Sequence, residues 1–489
     1  MYKLLLLLSA LMLMTFTYTG CLDAEDDDDD GASKTDTLQG EVTVLPRALN
    51  FDDEKGSAGN LVTDHLLSGD LAIENCLFYK FGESDWNATT LESIIKWSDV
   101  ADDVDKSSIM STLKENNTFG SDPGVSRTSL LPSSGSLAFT ASRKTLTDPF
   151  FDNVDYVGAF GSANWMEWTF THQMMEGEVT DVDASSFPEK TITDDDITGN
   201  VTLSSDTVYI LDGFVFVEDG STLTIEAGTV IKAKAGGGLS ASALIVARGG
   251  FIDAQGTASE PIIMTAMQDD LRYQDDINPE TRGLWGGLIV LGKSITNRAA
   301  GEEQIEGIDP DDNRGLYGGS DLSDNSGTIK YVSLRYGGTN IGEGNEINGL
   351  TMGGVGSGTT IENIEVYHNA DDGFEWFGGT VNTKYLVSTG NSDDSFDWDE
   401  GFRGKGQFWV VIQASDAGDR GAEMDGCAGD NRGNTSEYSK PTIANATFIG
   451  SGHDSGNSGN MIFKFREETG GYYYNSIFTD FYGDVKISH

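Results

Sequence analysis

The 489-residue chain is poor in basic residues, cysteine, proline and histidine. Its 31 Lys and Arg face 79 Asp and Glu, a formal net charge of −48. Such a surface repels nucleic-acid phosphates and anionic headgroups, which excludes nucleic acid as a partner. It suits divalent cations, or high salt. Cys21, Cys76 and Cys427 are too few for a disulfide framework. The five histidines are scattered, and neither His368 nor His453 has a neighbour at zinc-ligand spacing. Helical periodicity of useful length is also missing from residue 200 onward. The glycine clusters at 236–238 and 353–358 follow no phosphate-binding strand-to-helix pattern. Tight corners explain them better.

The apolar run at the start, Leu4 to Phe16 behind Lys3, is too short to span a bilayer comfortably. It reads as a targeting segment, residues 1–20, outside the fold. Thr19-Gly20-Cys21 resembles a bacterial lipobox, in which the cysteine is acylated, although Tyr18 replaces the usual Leu. An ordinary secretory signal is the alternative. Residues 21–44, with DAEDDDDDG, form an acidic tether that cannot pack. This run resembles the surface-export signal of Bacteroidota lipoproteins; a plain spacer is the other reading.

What is abundant is short β-branched and aromatic runs cut by Gly, Asn and Asp. YILDGFVFVEDGSTLTIEAGTVIKAK, residues 209–234, gives strands of about five residues with corners too tight for helical crossovers. The chain repeats itself: NADDGFEWFGG (369–379) returns as NSDDSFDWDEG (391–401) and, degraded, as DAGDRGAEMDG (416–426). Glu375, Asp397 and Glu423 lie 22 and 26 residues apart, one turn of a parallel β-helix per copy. Stacked turns about 4.8 Å apart turn equivalent positions into columns. Strand alternation puts Phe374 and Trp376 on one face and Glu375 on the other. The aromatic columns are expected in the core, with exposed sugar-stacking platforms as the alternative. The acidic column is expected to face solvent as a binding strip whose like charges repel unless relieved.

These motifs, with RGLWGGLIVLG and DDSFDWDEGFRGKGQFW, resemble a family of exported β-helix lipoproteins widespread in Bacteroidota, over roughly residues 195–485. The resemblance implies an all-β, right-handed parallel β-helix of the pectin-lyase-like kind, at the outer-membrane surface, and no assigned reaction. One departure stands out. DLAIENCLFYKFG (70–82) looks like a rung, and 148–171 like the family's closing segment, yet both precede the first rung. A circular permutation is expected: 45–172 capping the C-terminal end, 173–196 running back as a linker, and the β-helix at 197–489. Residues 70–82 should stack beyond Tyr472–Asp480, with Phe150–Trp168 near the same end. Docking within one chain gives a monomer; docking onto a neighbour gives a head-to-tail polymer.

Three chemistries compete for the acids. Asp371, Asp372, Asp393 and Asp394 offer oxygens to Ca²⁺, as do the turns at 308–313 and 320–327; solvated acidic turns are the alternative. An inverting hydrolase would use Asp393, Asp394 and Asp397, but the acids recur in register, as a unique catalytic pair need not. A lyase needs a base, for which Arg403 and Lys405 are candidates. The favoured expectation is a lipid-anchored surface protein with a binding, adhesive or structural role toward glycans and calcium.

Overall fold

Runs of four residues rich in β-branched and aromatic side chains, stopped at glycine corners, set the path of the chain. Val208–Leu211, Phe214–Val217, Thr222–Ile225 and Val230–Ala233 are strands. Gly213, Gly220 and Gly228 between them have φ of 87°, 77° and 78°, where a side chain is strained. The computed structural model describes residues 49–52, 62–81, 90–98, 104–342, 345–427, 437–452, 455, 457 and 460–481. All belong to one compact unit, 44–489. The targeting segment, Cys21, the acidic tether and His453 lie outside the described residues.

Each short strand lies parallel on its equivalent in the next turn, as Thr222–Ile225 does between Asn200–Leu203 and Phe251–Gln255. The result is a right-handed parallel β-helix. One wall is a ten-stranded sheet running from Phe214–Val217 to Ile95–Ser98; an eighteen-stranded sheet makes the other walls, and two short two-stranded ribbons lie in the excursions. The larger sheet bends at a column of left-handed residues on successive rungs: Tyr331, Asn363, Tyr385, Phe408, Asn445, Asn475 and Asn75, with φ between 49° and 60°. Left-handed backbone costs roughly 1 kcal/mol or more for a non-glycine residue, least for Asn. Ring packing offsets it at the aromatic positions, where Tyr385 and Phe408 stack at 4.9 Å.

The inward faces carry the aromatic columns. Phe374, Trp376, Phe396, Trp398 and Trp409 are at most 1% exposed. Phe374 stacks on Phe396 at 5.3 Å, and Trp376 on Trp409 at 5.1 Å. The rings are core, not sugar platforms.

Past the last rungs, the chain's own beginning continues the stack. Leu71–Glu74 pairs with Gly471–Tyr474, and Leu77–Phe81 with Ile477–Phe481, both in parallel. Leu49–Asp52 lies on Met461–Arg466, and Ile95–Ser98 lies on Leu49–Asp52. Val62 and Leu66 of Val62–Ser68, with Ile109 and Leu113 of Lys106–Asn116, join the main core cluster there. The terminal edge is thereby covered, which removes a row of unpaired backbone groups.

The return journey differs from expectation. Phe150–Trp168 does not stay at the capped end. Phe151 packs on Ala444 and Tyr474 there, but Trp165 meets Tyr385, Trp168 meets Tyr331 and Phe170 meets Tyr367, on three rungs further back. The strap therefore begins well before residue 173, because the outward rings of the left-handed column need cover. Residues 173–196 are not a bare linker either: Glu189–Ile192 already pairs with Val208–Leu211.

Buried polar contacts pin this strap. Glu365, fully buried, accepts the N–H groups of Phe170 and Thr171 at 3.0 and 2.7 Å and the Ser333 hydroxyl at 2.6 Å. Arg335, 1% exposed, donates to Asp181 at 2.5 Å and lies 3.9 Å from Asp269. Replacing Arg335 with Met should strand two buried carboxylates and cost about 3–5 kcal/mol. The urea midpoint is expected to fall, with limited proteolysis starting near Asp181. An unchanged midpoint would show that the guanidinium does not hold the strap.

Candidate functional site

Alternation in FEWF and FDWD sends the acids outward on the ten-stranded sheet, and register strings them into a column. Along its outer face run Phe216, Ile245, Ile289, Thr351, Glu375, Asp397, Glu423 and Lys464. The apolar first third is roofed by Ile305, Ile308 and Tyr317 from the long excursion after Leu288–Leu291. The face then turns acidic, and at Lys464 basic. A second outward column changes sign at the same rung, with Phe377 aligned on Asp399 and Asp425 on Arg466.

The repeated Asp-Asp pairs divide their labour. Asn348 accepts the N–H of Asp372 at 3.2 Å, Asp372 that of Asp394 at 2.8 Å, and Asp394 that of Arg420 at 2.6 Å. The second Asp of each pair is thus a ladder rung between coils, 6% exposed at Asp372 and 2% at Asp394. Asp394 also pairs with Arg420 Nη1 at 3.3 Å, so both its oxygens are engaged inside the protein. The first members, Asp371 and Asp393, are half-buried and exposed.

Contrary to expectation, the acidic column is neither uniform nor fully solvent-facing. Glu423 is buried and held by Arg420 at 2.5 Å, Arg466 at 2.9 Å and Lys464 at 3.2 Å. Asp425 is held by Arg466 at 2.7 Å. Among the described residues no Lys or Arg forms an ion pair with Asp372, Glu375, Asp397 or Asp399. Glu375 accepts from Asn348 Nδ2, and Asp397 Oδ1 is buried with no hydrogen-bond partner among the described residues. Oxygens of Asp372, Glu375 and Asp397 lie within 4.8 Å of one another, as do those of Asp371, Asp372 and Asp393 and those of Asp393, Asp394 and Asp419.

Their protonation follows. Burial, then Asp397, raises Glu375 well above the usual range; burial, then Glu423, does the same for Asp397. Asp372 and Asp399 are raised by burial and by neighbouring acids. Burial raises Asp394 despite Arg420. Asp393, although exposed along its surface, is pushed up to about 6 by burial of its carboxyl and by Asp419. Burial pushes Glu423 up as well, but Arg420, Arg466 and Lys464 outweigh it and hold it low.

Other candidates are engaged elsewhere. Arg403 donates to the Tyr438 carbonyl at 3.1 Å, and Lys405 pairs with Asp148. His368 stacks on Tyr367 at 4.1 Å, and burial lowers it to about 3, so it is neutral. In the turns at 308–313 and 320–327, Asp312 clamps Arg314 and Asp321 caps Ser323. The clustered carboxylates are closer than the roughly 6.5–9.5 Å an inverting hydrolase needs for its water.

Two outcomes test these electrostatics. Acids with raised folded values bind more protons folded than unfolded, so their contribution is present at low pH and lost as pH rises. In EDTA the melting temperature should fall as pH climbs from about 4 through the value of about 6 for Asp393 and beyond. Glu423 works in the opposite sense and is lost on acidification; a melting temperature that rises with pH would mean its pairing dominates. Second, Lys464, 4% exposed, is one of three cations on Glu423. Lys464→Glu should cost about 3–5 kcal/mol in chemical denaturation, against about 0.5 for an ordinary surface change.

Comparison with known proteins supplies one match. The family described as a pectate-lyase like beta helix domain matches residues 195–489. Neither the curated proteins nor the solved structures returned a match. With its rungs wound as above, the chain belongs to the family of pectate-lyase like β-helix domains.

Proposed function

We propose that this chain is an exported, lipid-anchored outer-membrane protein of the cell surface whose β-helix binds a ligand rather than turning it over. The binding face in this reading is the acidic part of the ten-stranded sheet. One observation carries it: Asp372, Glu375 and Asp397 converge within 4.8 Å with no Lys or Arg among the described residues paired to them, one rung from Glu423, which has three. A hard divalent cation such as Ca²⁺ satisfies clustered carboxylate oxygens. Asp371 and Asp393 would serve at the rim. A surface or extracellular glycan is the proposed partner, and capping by the chain's own 49–119 block supports a monomer over a head-to-tail filament.

Purified protein should melt higher in excess Ca²⁺ than in EDTA at fixed ionic strength, because binding to the folded state alone stabilises it. Tb³⁺ offers a direct probe, since Trp376 and Trp398 adjoin Glu375, Asp397 and Asp399 in the chain and can sensitise it. Asp397→Asn should raise the melting temperature in EDTA, by removing an uncompensated acid, and abolish both the Ca²⁺ shift and the Tb³⁺ emission. Wild type without either signal would sink the cation site.

The family description favours a second reading, a polysaccharide-degrading hydrolase or lyase. Turnover on a panel of acidic and neutral glycans, lost in Asp397→Asn, would replace binding with hydrolysis; ultraviolet-absorbing unsaturated products would mean a lyase. The anchor has its own test. Fatty-acid labelling in a producing bacterium should be lost in Cys21→Ala, and labelling that persists would refute lipidation there.

A further inference from the structure

We draw no further inference here: the strongest candidate, the carboxylate cluster of Asp372, Glu375 and Asp397 on the outer face of the ten-stranded sheet, belongs to the site already described.

Discussion

Everything in this molecule answers to the spacing of one rung above the next, about 4.8 Å. A residue's environment is therefore set less by its neighbours in sequence than by its equivalents one coil away. For apolar side chains this is favourable, since Phe374 and Phe396, or Trp376 and Trp409, meet face on at stacking distance. For charges it is unforgiving. Two carboxylates at that separation, half-buried, cannot both ionise without relief. The chain relieves the column at one end with Arg420, Lys464 and Arg466, while among the described residues no Lys or Arg pairs with Glu375 or Asp397 at the other. Stability and chemistry thus share one geometric cause.

The same rule explains what could be read from the residues alone. Period-two alternation and the 22-residue repeat are enough to place Phe374, Trp376 and Glu375 on their faces and to align Glu375, Asp397 and Glu423 in one column. Partners that reach across rungs from turns were not readable. Arg420 sits in the degraded third repeat, where its distance from Asp394 depends on a 26-residue coil. Asp399 is legible from the pattern, since FDWD places it on the same face as Asp397. The Asp-Asp doublets looked like two equivalent ligands. One of each pair proves to hold backbone N–H groups of the next coil, a role no spacing announces.

The strap shows a different limit. Its hydrophobic residues are legible as buried, but their partners are the outward rings of a left-handed column, and sequence patterns do not reveal positive φ at Tyr331, Tyr385 or Phe408. Connectivity also shapes folding. Leu71 pairs with Gly471, 400 positions later, so the block nearest the N-terminus is synthesised first and seats last. Loop-closure entropy makes such long-range pairing slow.

Finally, the point of entry of the chain decides where a pull on its N-terminal side would act. Leu49–Asp52, the first described strand, lies on Met461–Arg466, so anything attached ahead of it is joined at the last coil, not the first. Tension applied through that attachment acts across the hydrogen bonds between rungs and loads the 49–119 block before any other part. The opening coils, reached only after residue 188, bear none of it until the strap is pulled from its flank.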